Sequence, residues 1–314
     1  MPNIRHLITI LALASSASAQ EIRTYRPFGS LREQADMQQR WLAKRMEVVL
    51  PALMRKHGVD FWVVPMREYN EDPVFTSIVS PTTFAARRRT IYVFYDRCSG
   101  LGALGPGKAV PGAKPTGQSP QPRACDIERI ALGGTSQGGV FEAVRSTQAA
   151  AGPAGATSQR QAELWGDEQW KVLKKVVDDR KPKAININVS HTFAFSDGLS
   201  AGEYEGMRAA LGPAWSAKFR RNDVLALDLI ATRLPEEEEV FRRMTEVVWG
   251  IIDTAFSNVV ITPGVTRTQD VVWWMRQKVN DLGLGTWFQP SVEVQRMGAA
   301  GEQLGDNPDR KSVV

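Results

Sequence analysis

Apolar residues recur at helical spacing, every three or four positions, between residues 34 and 57. These positions are Met37, Trp41, Met46, Val49, Leu50, Leu53 and Met54. Gly58 directly follows and is a typical helix stop, and Pro51 within the stretch predicts a kink. Residues 59–64 are apolar and rich in β-branched side chains, which predicts a buried strand. A helix that leads into a core strand is typical of an α/β fold.

Strand-like and helix-like segments continue to alternate along the chain. Residues 90–95 and 127–132 predict two further strands. Residues 165–179 predict an amphipathic helix, which is followed by a strand-like segment at 184–189. A further helix is expected near residues 201–211. The small residues at 152–158, in contrast, are typical of an inserted loop.

A second domain is expected to begin near residue 233. Pro235 is followed by glutamates at 236–239, which predicts the start of a long helix that ends near Ser257. After a turn, Thr268 is expected to cap another helix. Residues 290–295 alternate like a strand.

The first residues have the pattern of an export signal. Arg5 precedes an apolar run at 7–14, and Ala17-Ser18-Ala19 supplies the small residues recognised at a cleavage site. We therefore predict a signal peptide over residues 1–19 and an exported protein, periplasmic or extracellular. An amphipathic or membrane-anchoring N-terminus is the alternative. The apolar run is too short to cross a bilayer, so no stable membrane anchor is expected.

Size and charge narrow the class of protein. With 314 residues, two domains are the default expectation. A hydrophobic fraction of 43% and a charged fraction of 23% are ordinary for globular proteins. The net charge of +5 is a small excess over the whole chain, which argues against nucleic-acid binding.

The two cysteines, Cys98 and Cys125, bracket a segment rich in glycine and proline. In an exported protein they are expected to form a disulfide that closes the base of this loop. Two buried free thiols are the alternative. No paired histidines or Cys-x-x-Cys motif accompanies them, so a zinc site is not expected.

Two local motifs suggest chemistry. Ser136 lies in a Gly-x-Ser-x-Gly pattern after a predicted strand, which allows a serine hydrolase as an alternative function, although a tight glycine turn is favoured. Asp223 and Asp228 form a possible carboxylate pair, but no histidine follows to complete a site. We interpret both aspartates as solvated charges on a helix or a linker.

The isolated histidines and the arginine run are interpreted as structural rather than catalytic residues. His57 and His191 are interpreted as surface histidines or as hydrogen-bonded core histidines. The run Arg87, Arg88 and Arg89 precedes a predicted strand and is interpreted as a solvated basic face or a subunit contact. No catalytic and no metal-binding residue is assigned from these motifs.

Several segments together resemble the creatinase/aminopeptidase P family. They are residues 39–64, 185–190 with 196–200, the linker at 232–237, residues 261–266 and residues 288–292. The resemblance implies a creatinase-type α/β domain over 34–230, with a mixed sheet flanked by helices. It further implies the truncated start of an α+β pita-bread catalytic domain over 233–308.

The resemblance also implies an activity for the intact parent protein. That activity is hydrolysis of N-terminal peptide bonds, as in Xaa-Pro aminopeptidases, by water held between two divalent ions, often manganese. The substrate is a peptide, and a homo-oligomer is expected. The metal pair requires two Asp, one His and two Glu, all of which are expected beyond the last residue of this chain.

The chain departs from the family pattern near its end. No histidine occurs in residues 296–308, where such enzymes carry a substrate-contacting histidine. Residues 309–314 have the sequence that a sequencing adapter encodes, so a non-native tail is expected. We therefore predict a catalytically incomplete chain without metal ions, and a non-catalytic pita-bread or oligomerisation module is a further alternative.

Overall fold

The computed structural model describes residues 26–98, 126–146, 163–297 and 303–305. The chain divides into two compact units, with the boundary between Met244 and Thr245. We call Ser30–Met244 the sheet unit, and the residues from Thr245 onward, with 26–29, the helical unit.

The sheet unit alternates helices and strands. Its α-helices are α1 (Leu31–Lys44), α2 (Leu50–Lys56), α3 (Phe75–Ile78), α4 (Gly166–Arg180), α5 (Ala201–Ser216), α6 (Leu225–Ala231) and the first part of α7 (Pro235–Ala255). Its strands are β1 (Phe61–Met66), β2 (Thr90–Asp96), β3 (Ile127–Leu132), β4 (Glu142–Val144), β5 (Ile185–Ile187) and β6 (Phe219–Arg221). The helical unit contains the rest of α7, α8 (Thr268–Asp281), β7 (Gln295–Met297) and β8 (Gln303–Gly305).

The six strands of the sheet unit form one mixed sheet in the order β4-β3-β2-β1-β5-β6. Strand β2 pairs antiparallel with both β1 and β3. The pairs β3–β4, β1–β5 and β5–β6 are parallel. Strand β2 therefore runs opposite to the other five.

Helices cover both faces of this sheet. All six residues of β1 are buried, and their side chains alternate between two apolar clusters. Phe61 and Val63 pack in the cluster that includes Leu173 of α4 and Met207 of α5. Trp62 packs in the other cluster, with side chains from α1, α2 and α6. The expected α/β fold with a mixed sheet flanked by helices is thus confirmed.

The first helix is interrupted where the sequence predicts a kink. A π-helical turn, Arg45–Val49, separates α1 from α2 directly before Pro51. The N–H of Leu50 donates to the carbonyl of Arg45, five residues back. Proline has no N–H to continue the regular bonding, so a wider turn at this position has a local cause.

Other sequence predictions differ from the structure in detail. The first strand begins at Phe61 rather than at residue 59. The N-cap of α8 is Arg267 rather than Thr268, and its N–H donates to the carboxylate of Asp270. Residues 290–294 form no strand, because pairing begins only at Gln295 in β7.

Some predictions lie outside the described residues. These are the signal peptide at 1–19, the loop at 152–158 and the tail at 309–314. Cys125 also lies outside, so the disulfide stays a prediction. It is compatible with the register of β2 and β3: Asp96 lies opposite Ile127, Cys98 follows Asp96 by two residues, and Cys125 precedes Ile127 by two residues. The domain limits 34–230 and 233–308 stay predictions as well.

A buried arginine joins the π-helical turn to the linker before α7. Arg45 Nη2 lies 2.6 Å from Glu237 Oε1, and both side chains are about nine-tenths buried. Arg45 Nη1 donates to the carbonyls of Leu229 and Thr232 at 3.0 and 2.6 Å. Glu237 in turn accepts the N–H of Leu234. Both charges are therefore paired and hydrogen-bonded, as buried charges require.

We predict that Arg45→Met lowers the free energy of unfolding by about 3 to 5 kcal/mol, because it leaves the Glu237 carboxylate buried without a partner. The measurement is chemical denaturation of the purified chain. Lys44→Met is the matched control: it removes the neighbouring, solvent-exposed ion pair with Glu236 and should have a far smaller effect. Equal effects of the two substitutions would contradict the prediction.

Candidate functional site

At one edge of the sheet, the ends of several strands that are distant in sequence lie close together. Because β2 runs opposite to its neighbours, its first residue lies beside the last residues of β1 and β3. The carboxyl end of β5 lies at the same edge, next to β1. We call this edge the carboxyl edge. In α/β proteins, ligands bind outside the carboxyl ends of the strands.

A buried polar network lies beyond β1 and β5. The indole N–H of Trp62 donates to Asn188 Oδ1 at 2.8 Å, and Asn188 Nδ2 donates to Asp72 Oδ2 at 2.8 Å. The N–H of Val74 donates to the other carboxylate oxygen of Asp72 at 3.0 Å. Trp62, Asp72 and Asn188 are all at least 98% buried. The network therefore fixes the loops after both strands.

The Asp72 carboxylate is buried without an ion-pair partner among the described residues. Burial raises its pKa from an ordinary 3.8 to about 6. The hydrogen bonds from Val74 and Asn188 oppose this shift, and the nearby charge of Asp197 adds to it. Asp72 is thus a buried carboxyl group that changes its charge near pH 6.

Gly198 approaches Asp72 closely. A Cβ atom at this position would lie 2.2 Å from Asp72 Oδ2, which only glycine avoids. The neighbouring Ser196 is fully buried, and its hydroxyl has no hydrogen-bond partner in the described part of the chain. The Ser-Asp-Gly-Leu-Ser segment at 196–200 therefore has a packing reason for its glycine.

A second cluster at the carboxyl edge is built around Glu203, in the first turn of α5. Its side chain is 4% exposed and lies between Arg67 and Arg89. Arg67 Nε lies 3.2 Å from Oε1, and Arg89 Nε lies 2.8 Å from Oε2. The Arg89 pair is close enough for an ion pair but lacks hydrogen-bond geometry. One buried carboxylate thus holds two guanidinium groups.

Aromatic rings complete this cluster. The guanidinium of Arg89 lies 4.4 Å from the ring centre of Trp170, and that of Arg88 lies 4.8 Å from the ring centre of Trp165. A pocket of about 260 Å³ is lined by Arg67, Arg88, Arg89, Trp165 and Gly166. It presents arginine side chains around a half-exposed indole ring.

The residues that sequence motifs had singled out are not brought together. Ser136 lies in a tight turn with Gln137, Gly138 and Gly139 at positive φ, and its Oγ accepts the N–H of Gly139 at 3.3 Å. No described contact joins Ser136 to a histidine. The geometry therefore gives no support to a serine nucleophile.

Both described histidines have other partners. His57 Nε2 lies 2.7 Å from Asp228 Oδ2, and Lys56 Nζ lies 2.8 Å from the same oxygen. Both hydrogen bonds lower the pKa of Asp228, and the bond from Lys56 has the larger effect. They connect α2 with α6, so Asp228 is a helix residue in an ion-pair cluster rather than a freely solvated charge. His191 Nε2 lies 2.6 Å from Arg221 Nη1 on the surface.

The sequence interpretation missed the arginine cluster. The run at 87–89 was interpreted as a solvated basic face or a subunit contact. A solvated face is wrong for Arg89, whose side chain is 19% exposed and paired with Glu203. The signal that was present is the position of the run directly before a strand. Its partners, Arg67 and Glu203, carry no motif and are recognisable only once the sheet order is known.

The described residues do not fit the two-metal site that the family resemblance implies. Within 26–98, 126–146, 163–297 and 303–305, no group of three or more His, Cys, Asp or Glu residues lies close enough to hold a metal ion. No catalytic step is therefore derived through a metal. In the same ranges, no helix is both long and apolar enough to cross a membrane.

Comparisons with known proteins do not identify the family: no family model, no curated protein and no solved structure matches this chain.

We predict that protonation of Asp72 stabilises the fold as the pH falls. Since its pKa is raised in the folded chain, this stabilisation is present at low pH and is lost as the pH rises through about 6. Relative to Asp72→Asn, the wild-type chain should lose about 2 to 3 kcal/mol of unfolding free energy from about pH 4 to about pH 8. Denaturant titrations across this range measure the difference.

The exposed Asp36→Asn is the control for general effects of removing an acidic group. If the difference between the wild-type chain and Asp72→Asn is the same at every pH, the raised pKa of Asp72 is refuted.

Proposed function

We propose that this chain is the front portion of an exported metallo-aminopeptidase of the creatinase/aminopeptidase P type. The sheet unit is the proposed creatinase-like N-terminal domain, and the residues after the linker are the proposed start of a pita-bread catalytic domain. The substrate class is a peptide with a free N-terminus, as in Xaa-Pro aminopeptidase-like enzymes. The parent protein would use two divalent ions, with manganese favoured, and none of their ligands is assigned to this chain.

The observation that carries the proposal is the role of the motif segments in the fold. Residues 185–190 and 196–200 supply β5 and the loops that enclose Asp72, including Asn188 and Gly198. The linker at 232–237 contributes Thr232, Leu234 and Glu237 to the buried network of Arg45. The segments that carry the resemblance therefore also make specific buried contacts that hold this fold together, which supports the proposal.

The coarse architecture is also consistent with the proposal. A mixed sheet covered by helices on both faces is what the resemblance implies for the first domain. The long helix α7, which begins at Pro235, is also consistent with the start of a second domain after the linker.

A second candidate is a non-catalytic module that associates with other protein, and the surface of the helical unit is compatible with it. Five of its large aromatic side chains are more than half exposed: Trp249, Phe256, Trp273, Trp287 and Phe288. A contiguous exposed apolar patch marks contact with further protein, and of these five residues Trp287 and Phe288 lie together, with ring centres 6.4 Å apart. Such contact is equally expected for a pita-bread domain in a homo-oligomer, so the surface does not separate the two candidates.

We predict that the purified 314-residue chain, incubated with Mn²⁺, releases no N-terminal residue from an Xaa-Pro peptide, whereas the product of the complete source gene does. The measurement is chromatographic detection of the released amino acid, with a chelator as control. Metal-dependent release by the 314-residue chain would contradict the proposed lack of ligands. An inactive complete gene product that binds no metal would favour the non-catalytic module.

A further inference from the structure

The arginine pocket at the carboxyl edge has features of a binding site that the proposed peptidase function does not use. Its lining comes from three places in the chain: Arg67 after β1, Arg88 and Arg89 before β2, and Trp165 and Gly166 at the start of α4. Three of the five lining residues are arginines, and none of the five is acidic. The pocket therefore presents positive charge to whatever enters it.

The three arginines of the pocket are held by few contacts, which leaves N–H donors available for a ligand. Arg67 and Arg89 both face Glu203 through Nε, which leaves their terminal nitrogens directed elsewhere. Arg89 Nη1 reaches the carbonyl of Gly166 and Gln169 Oε1 only at 3.4 Å. Arg88 has a ring contact with Trp165 but no hydrogen bond or ion pair with a described residue. Each guanidinium carries five N–H donors, and for most of these donors the described residues supply no hydrogen-bond partner.

The nearby acidic groups do not occupy these donors. Glu203 is buried and neutralises one of the charges of Arg67 and Arg89. Glu163 pairs with Arg87, and Glu168 accepts the hydroxyl of Ser146. Asp167, in the first turn of α4, does not line the pocket. The lining is thus positive even after the neighbouring carboxylates are counted.

We propose that this pocket binds a small ligand that carries an oxyanion, either a carboxylate or a phosphate group, next to a flat apolar part. Guanidinium groups bind both kinds of oxyanion through paired hydrogen bonds. The indole of Trp165 offers a flat apolar surface beside them. The volume of about 260 Å³ is slightly below the usual size of a ligand pocket, so only a compact ligand fits. The inference does not depend on the peptidase proposal.

Calorimetric titration of the full chain with three probes tests the proposal. Phenyl phosphate and phenylacetate combine a ring with one of the two oxyanions, and benzyl alcohol has the ring without the charge. We expect saturable binding of at least one anion, weakened by added salt, and no binding of benzyl alcohol. The tighter of the two anions identifies the acidic group as phosphate or carboxylate.

Variants assign the binding to the pocket. Arg88→Met should weaken binding of the tighter anion by about tenfold or more. Arg88→Lys should weaken it less, because lysine keeps the charge but lacks the paired N–H donors of a guanidinium group. Arg208→Met is the matched control, since Arg208 is also exposed and lies over an aromatic ring, that of Tyr204, in the same unit. Arg208→Met should leave the affinity for the tighter anion unchanged. Absence of binding to the wild-type chain, equal affinity for benzyl alcohol, or an equal loss in the Arg208→Met variant would each overturn the proposal.

Discussion

The reversed direction of β2 is the constraint on which the carboxyl edge depends. Strands β1, β3, β4, β5 and β6 share one direction, and β2 lies between β1 and β3 with the opposite one. The segment that enters β2 therefore meets the segments that leave its neighbours. A parallel β2 would place Arg88 and Arg89 at the far edge of the sheet, away from Arg67. The pocket exists because one reversed strand, antiparallel to both of its neighbours, interrupts an otherwise parallel sheet.

Two buried carboxylates at this edge have different roles because their partners differ. Glu203 lies between two guanidinium groups, which compensate its charge and are in turn oriented by it. Asp72 is held only by neutral donors, so burial dominates and its pKa rises. The first arrangement fixes positive side chains around a pocket. The second gives the loops after β1 and β5 a group that responds to pH.

The sequence predicts regular elements well where local pattern decides them. The bounds of β3 and the first residue of α7 are as predicted, because apolar runs and a proline followed by acids are local signals. The start of α8 is shifted, since the backbone N–H of Arg267 bonds to Asp270 whatever its own side chain is. The clusters of Glu203 and Asp72 join residues more than a hundred positions apart. Periodicity shows which face of an element is apolar, but it does not show which loops meet.

The sheet order brings Arg89 against Glu203, and the pocket depends on this contact. A double-mutant cycle with Arg89→Met and Glu203→Gln, read as free energies of unfolding, measures the interaction between these two side chains. We expect a coupling energy of about 2 kcal/mol, since the pair is largely buried and in direct contact. A coupling energy within error of zero would contradict the antiparallel placement of β2 and the pocket built on it.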